Sequence, residues 1–259
     1  MLEEKIRKIK IRLLKMHYEA GVGHIGGNLS ALDMLMVLHH KVMGADDLFV
    51  LSKGHAAGAL YATLFSIGKL SEEDLTQFHK DHTKLSGHPP AAGVPGIIFA
   101  TGSLGHGLPL AVGLSLGKRL QKQKGRVYCL MSDGEWEEGS NWEALIFAAH
   151  QKLDGLTCLV DCNGLQGFGT TKDVAGLDIG SLKTRFSAFG ASVDEVDGHK
   201  PEDILHALNA PRDGEHVRLI VARTKKGNGV SFMENKMEWH YLTMTETQYK
   251  RALEEVARP

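Results

Sequence analysis

Residues 126–166 constrain the fold of this chain more than any other stretch. They read as an apolar run at 127–131, a turn on Ser132-Asp133-Gly134, a helix through 142–150 and a second apolar run at 156–160 ending at Asp161-Cys162-Asn163. Apolar runs bounded by Gly and Asp suit strands covered on both faces by helices. With the helix between them they make a βαβ unit, whose crossover is right-handed because a right-twisted strand and a right-handed helix pack back onto the sheet only that way. Both strands then point their carboxyl ends at one sheet edge, where open α/β folds bind ligands. Asp133 and Asn163 meet at that edge.

The rest of the chain supplies more of the same alternation. Leu2, Ile6, Ile9, Leu13 and Met16 recur at helical spacing, and Gly21 is a natural stop. Ser30-Ala31-Leu32-Asp33 reads as a capping-box variant opening a helix that runs to Gly44. A strand at 48–51, a turn on Ser52-Lys53-Gly54-His55, a helix at 56–67 and a helix from Ser71 through Phe78 follow. Residues 79–96 lose periodicity and gather Pro, Gly and His, including His79, His82 and His88; loops this long are commonly functional. Beyond them come an apolar helix at 108–120, the βαβ unit, and a Gly-rich loop at 164–180. A helix at 179–189, a strand at 191–196, a helix at 201–208, a strand at 217–222, a loop with Trp239-His240 and a terminal helix at 245–256 complete the pattern. Such alternation predicts an α/β fold with a doubly wound, mostly parallel sheet and helices on both faces. No repeat, low-complexity tract or linker interrupts it, so residues 1–259 read as a single domain.

Composition narrows the function classes. Of 259 residues, 42% are hydrophobic and 24% charged, enough for a sizeable core. The 30 Lys plus Arg nearly balance the 31 Asp plus Glu, so nothing calls for nucleic acid or an anionic membrane as partner. Cys129, Cys158 and Cys162 lie in or beside predicted core strands without a CxxC spacing and read as reduced and structural. No apolar run approaches the roughly 18 residues needed to cross a bilayer. The start is an amphipathic helix rather than a signal peptide, so the cytoplasm is the expected location.

Gly21-Val22-Gly23-His24-Ile25-Gly26 satisfies GxGxxG, with Asp46 or Asp47 about 20 residues on, as in a dinucleotide fingerprint. The context excludes that reading: an amphipathic helix, not a strand, precedes Gly21, and the strand-to-helix phosphate turn cannot form. Asp133 and Asn163 carry more. One carboxylate, one amide oxygen and a nearby carbonyl such as that of Leu165 leave octahedral positions for diphosphate oxygens and water, the way magnesium prefers to be held. Gly134 allows close backbone approach, and the following helix start offers N–H groups to a phosphate. Taken alone, the same residues also fit a plain helix cap and a loop turn.

Longer segments settle between these. SDGEWEEGSNWEALIFAAHQKLDGLTCLVDCNGLQ resembles the thiamine-diphosphate motif of transketolases, which begins GDG and ends in Asn about thirty residues later. In order with it stand GHIGGNLSALD around His24, LSKGHAAGALYATL around His55, SGHPPAAGVPG around His88, TGSLGHG around Gly102 and KKGNGVSFMENKMEWH ending in His240. The resemblance covers nearly the whole chain.

It implies that Asp133, Asn163 and the Leu165 carbonyl hold Mg2+, with Ca2+ or Mn2+ able to substitute, and that Gly134 lies beside the diphosphate of thiamine diphosphate. It also implies cofactor contacts for His55, Lys226 and His240, and contacts along the aminopyrimidine and thiazolium for Gly102 and Leu104. Glu138 resembles the acidic residue that joins a cofactor-activating carboxylate network across the subunit interface. His24, His88 and His240 are similar to the substrate-channel histidines of the family. Imidazoles suit ketol transfer because protons move on and off sugar hydroxyls near neutral pH. His39, His40, His150 and His206 read as ordinary surface or core residues, and His106 stays open.

Two departures are conservative: Ser132 stands for the first Gly of GDG, and Ile25 where Pro is common. A larger one is that the chain stops at Pro259, whereas full-length transketolases continue into a pyrimidine-binding domain, with the glutamate that activates the cofactor, and a C-terminal domain. The resemblance therefore implies the N-terminal subunit of a split transketolase. Such an enzyme passes a two-carbon ketol unit from a ketose to an aldose, or between their phosphates. A separate C-terminal chain would complete each site, in a heterotetramer with two copies of each chain. Three other readings stay open. One is a subunit of another thiamine-diphosphate enzyme, such as a 1-deoxyxylulose-phosphate synthase or a two-chain 2-oxo acid dehydrogenase. Another is a specialised transketolase for an unusual sugar in a catabolic or polysaccharide pathway, differing in residues 79–96. The third is a non-catalytic scaffold, against which the retention of Asp133 and Asn163 speaks.

Overall fold

The computed structural model describes residues 1–258. Among them five strands form one sheet: β1 (Leu48–Leu51), β2 (Val127–Ser132), β3 (Leu156–Cys162), β4 (Ser192–Asp197) and β5 (Arg218–Arg223). Their order is β1-β2-β3-β5-β4, and every pairing is parallel. The expected α/β fold is thus present, and β2 and β3 are neighbours, with Val127 opposite Leu156 and Ser132 opposite Asp161.

The sheet is covered on both faces, and the strand residues show it by their alternation. Tyr128, Leu130, Leu159, Ile220 and Ala222 join one apolar cluster; Val127, Cys129, Met131, Cys158, Leu219 and Val221 join the other. A period of two places successive side chains on opposite faces, so near-continuous apolar strands are what a doubly covered sheet requires. The first cluster is closed by α1 (Leu2–Ala20), α2 (Ile25–Val37), α3 (Ala57–Ser66) and, beside them, the short α4 (Glu72–Thr76). The second is closed by α5 (Gly107–Leu120) and α6 (Gly139–His150), and by α8 (Ile179–Ala188), which follows the short α7 (Thr171–Ala175). Finally, α9 (Pro201–Asn209) and α10 (Glu246–Ala257) return to the first face, where Tyr18 of α1 stacks on Tyr249 of α10 at 4.2 Å. Cys129, Cys158 and Cys162 are free and buried, as their place in the strands predicts. No helix among the described residues is long and apolar enough to cross a membrane.

Local signals explain most helix ends. Gly21 closes α1 in the left-handed conformation with φ 62°, and Ser71 and Thr245 open α4 and α10 with reciprocal capping boxes. One expected start is wrong. Ser30 does not open a helix: α2 begins at Ile25, runs through Gly26 and Gly27, and is buried along its whole length. Packing overrides the poor helix propensity of glycine here. A Cβ on Gly26 would lie 3.0 Å from the Lys226 side chain and 3.1 Å from the Trp239 carbonyl, so glycine lets this turn of α2 approach the loop after β5 without displacing either. Residues 79–96 hold no helix or strand, as expected, and His79 and His82 both adopt positive φ, at 58° and 59°. The 164–180 stretch is more regular than a loop alone would be: α7 forms within it, opened by Thr170 capping the N–H of Asp173.

Candidate active site

Parallel strands deliver their following residues to one edge. Lys53 after β1, Asp133 after β2, Asn163 after β3 and Lys226 after β5 therefore come together, although 173 positions separate the first from the last (226 − 53). With the start of α2 and the 79–106 connection, Asp133, Asn163 and Lys226 surround a cavity of about 260 Å³, and Lys53 lies buried beneath it. Every site residue expected from the sequence lines it except Glu138. That carboxylate is exposed just outside, with its stem against Gly105: a Cβ added there would fall 2.6 Å from that of Glu138. His106 is also exposed outside the cavity, its Nδ1 3.2 Å from the Leu104 carbonyl. His39, His40, His150 and His206 do not reach the cavity.

Asp133 is almost wholly buried. Its two oxygens accept the N–H groups of Gly134 at 2.8 Å and Gly164 at 2.6 Å. Burial, and then the charge of Asp161, push its carboxyl up to about 6, against the pull of those two amides. A carboxylate held this way gains from a neighbouring cation. Asn163 Oδ1 accepts the N–H of Leu165 at 3.0 Å, which folds the chain back so that the Leu165 carbonyl joins the same corner. The donors available are all oxygens: one carboxylate, one amide and one carbonyl, a hard set that suits magnesium or calcium rather than zinc. Among the described residues no group of three or more His, Cys, Asp and Glu side chains could hold a metal ion.

Four histidines line the same cavity. The ring of His24 lies 5.0 Å from that of His240, 5.7 Å from that of His55 and 6.0 Å from that of His88. His24 is held in a left-handed conformation with φ 65°, sparsely populated for a non-glycine residue, and its N–H donates to the His240 carbonyl at 3.0 Å. Burial and then the neighbouring His88 depress the His24 imidazole to about 4; burial and then Lys226 depress that of His240 to about 3. Burial and then Lys53 hold His55 well below its ordinary value. The cluster is therefore neutral near pH 7, each ring offering one donor and one acceptor.

Lys226 is 2% exposed. Its ammonium meets the Leu165 carbonyl at 3.5 Å and His240 Nδ1 at 2.9 Å, and among the described residues no carboxylate comes within ion-pair distance. Burial and then the charge of Lys53 lower it to about 8. A buried cation without an acid partner is costly, so the cavity is built for an anion.

Sequence reasoning missed the polar layer beneath. Lys53 and Asp161, both wholly buried, form an ion pair, and Asp161 also takes the hydroxyls of Ser30 at 2.6 Å and of Thr224. Burial alone would raise the Asp161 carboxyl, but Lys53 and these hydroxyls hold it below the ordinary range. Glu135, equally buried, takes the Ser52 hydroxyl and the N–H of Gly105 at 3.1 Å, fastening the loop before α5 to the end of β1. The available signal was an Asp and a Glu, Asp161 and Glu135, flanked by apolar or glycine residues at predicted strand ends; Lys53, between Ser52 and Gly54, gave none.

The chain matches the sequence model of the family described as "Transketolase, thiamine diphosphate binding domain" over residues 3–256. It belongs to the transketolase family. An apulose-4-phosphate transketolase subunit from Phocaeicola vulgatus is 39% identical over 99% of this chain and 94% of its own length. The 6-deoxy-6-sulfo-D-fructose transketolase subunit SqwG of a Clostridium species is 34% identical over 99% and 96%. Among solved structures, transketolase from Campylobacter jejuni superposes with a TM-score of 0.89 at 31% identity and that from Leishmania mexicana with 0.90 at 26%. This transketolase-family chain spans 42% and 41% of the lengths of those two.

Proposed function

We propose that this chain is the N-terminal, diphosphate-binding subunit of a two-chain transketolase, transferring a two-carbon ketol unit from a ketose to an aldose with thiamine diphosphate and Mg2+. The observation that carries this is the pairing, in one cavity, of a buried ammonium without an acid partner at Lys226 with the hard oxygen donors of Asp133, Asn163 and Leu165. A magnesium diphosphate supplies both what the lysine lacks and what the oxygens lack. The residues thus fit the group that the family binds.

In this reading Asp133 Oδ, Asn163 Oδ1 and the Leu165 carbonyl hold Mg2+, and Ca2+ or Mn2+ substitutes. Gly134, His55, Lys226 and His240 hold the diphosphate end, and Gly102 and Leu104 border the rings. When bound, thiamine diphosphate supplies the nucleophilic centre that carries the two-carbon unit. His24, His88 and His240 face the sugar; as neutral imidazoles they accept a proton from one hydroxyl and return it to another. Glu138, exposed beside the cavity, meets the partner chain. That partner carries the pyrimidine-binding and C-terminal domains, in a heterotetramer with two copies of each chain. Two relatives matched over nearly their whole length carry the word subunit in their names, which supports this division. Free, buried cysteines suit a cytoplasmic setting.

A finer reading follows from the same relatives. The sugars in their names, apulose-4-phosphate and 6-deoxy-6-sulfo-D-fructose, are both unusual, and we assign this chain to that specialised group. His88 and the 79–96 loop then form the wall that selects the sugar. Calorimetry with thiamine diphosphate and Mg2+ tests the core of the proposal: Asp133→Ala is expected to abolish magnesium-dependent cofactor binding with the melting temperature kept. Unchanged binding would remove the anchor. A donor and acceptor screen on the two-chain complex tests the sugar assignment, which fails if ordinary pentose and hexose phosphates are used best.

A further inference from the structure

Ser30 is wholly buried on α2, under the carboxyl end of β3. Its Oγ lies 2.6 Å from Asp161 Oδ2, 3.0 Å from the Gly27 carbonyl and 3.3 Å from Asn163 Nδ2. The first two neighbours only accept: Asp161 is ion-paired to buried Lys53, and a carbonyl has no hydrogen to give. A hydroxyl has one hydrogen and two lone pairs. Whichever acceptor takes the hydrogen, Ser30 is left with nothing but lone pairs to offer Asn163.

That fixes a choice the Asn163 side chain would otherwise have. The two ends of an amide have nearly the same shape and differ only in whether they donate or accept. With the NH2 end against Ser30, Oδ1 faces the Leu165 N–H at 3.0 Å and keeps a second lone pair free. A flipped amide would set NH2 against N–H on one side and oxygen against oxygen on the other. We propose that Ser30 is a positioning residue that orients the Asn163 amide so that Oδ1, not NH2, is presented to the divalent cation. Lys53, Asp161 and Ser30 form one chain of partners ending at that ligand. The proposal rests on Asn163 being a cation ligand, and loss of such a supporting partner typically weakens metal binding about 10–100-fold.

Mg2+ titrated into the two-chain complex at saturating thiamine diphosphate tests it, using wild type, Ser30→Ala, Asn163→Ala and the double variant, with melting temperatures alongside. Ser30→Ala is expected to weaken Mg2+ binding about tenfold and to add no further loss in the Asn163→Ala background. Full Mg2+ affinity in Ser30→Ala, with affinity lost in Asn163→Ala, would overturn the positioning role and leave the ligand assignment standing. An equal further loss in the Asn163→Ala background would also overturn it, because the effect would then reach the cation by another route. Full affinity in Asn163→Ala would remove the ligand assignment and the proposal with it. Ser30→Cys, close in volume but a weak acceptor, repeats the comparison with the same outcomes should the alanine variant not fold.

Discussion

Asn28 is wholly buried at the start of α2, and its side chain ties two histidine-bearing segments to a third element. Nδ2 donates to the carbonyls of His24 at 2.8 Å and His55 at 3.0 Å, and Oδ1 accepts the N–H of Ala59 at 2.7 Å. Truncation would leave three backbone groups without this partner. Asn28→Ala is therefore expected to cost about 3 kcal/mol in urea unfolding and to raise KM for the sugar more than it lowers kcat; a cost under about 1 kcal/mol would show that water replaces the amide. Lys53 is a similar case with charge added. Removing one partner of a buried ion pair strands the other, so Lys53→Met is expected to destabilise the chain by about 3–5 kcal/mol. A Lys53→Met, Asp161→Leu pair should recover much of that loss in the same unfolding assay. Neither Asn28 nor Lys53 stands out in the sequence, because a lone buried Lys or Asn carries no periodicity. Asp133 and Asn163 are legible because a repeated strand-and-turn grammar places them.

At the scale of elements, the five strands and nearly all the longer helices follow from apolar period and end signals. The exception, α2, is set by close approach rather than propensity. Glycines do similar work in the turn after β1, where a Cβ on Gly54 would lie 2.7 Å from the Gly102 N and 2.8 Å from its Cα. Both contacts are backbone, so a side chain forces the 102–105 loop to move. Gly54→Ala is expected to weaken thiamine-diphosphate binding more than tenfold by calorimetry while the circular dichroism spectrum is kept, and wild-type affinity would show that the loop has room to yield. Such pairings between distant segments leave no trace in a single sequence, which is why the motifs could be placed on strand ends but the contacts between them could not.

The whole molecule carries its acid sensitivity in the histidines of its interior. Burial depresses His17 to about 4, and burial followed by the charge of Lys69 depresses His39 to about 4. The unfolded chain titrates these groups near pH 6.5, so between about 6.5 and 4 it binds protons that the folded chain does not. Stability from these residues is present in full above about pH 6.5 and is lost as the pH falls toward 4. Urea midpoints are expected to drop between pH 7.5 and 5, and His17→Gln should flatten part of that slope. A flat profile in the wild type would contradict it. The assembly itself is the larger question, since the cavity lies at an open sheet edge with Phe168, Tyr241 and Leu242 exposed around or near its mouth. Ketol transfer from a ketose donor to an aldose acceptor, measured with thiamine diphosphate and Mg2+ for this chain alone and after addition of a chain bearing the pyrimidine-binding domain, tests the division of labour most directly. Turnover is expected only in the mixture; full-rate transfer by this chain alone would contradict that division.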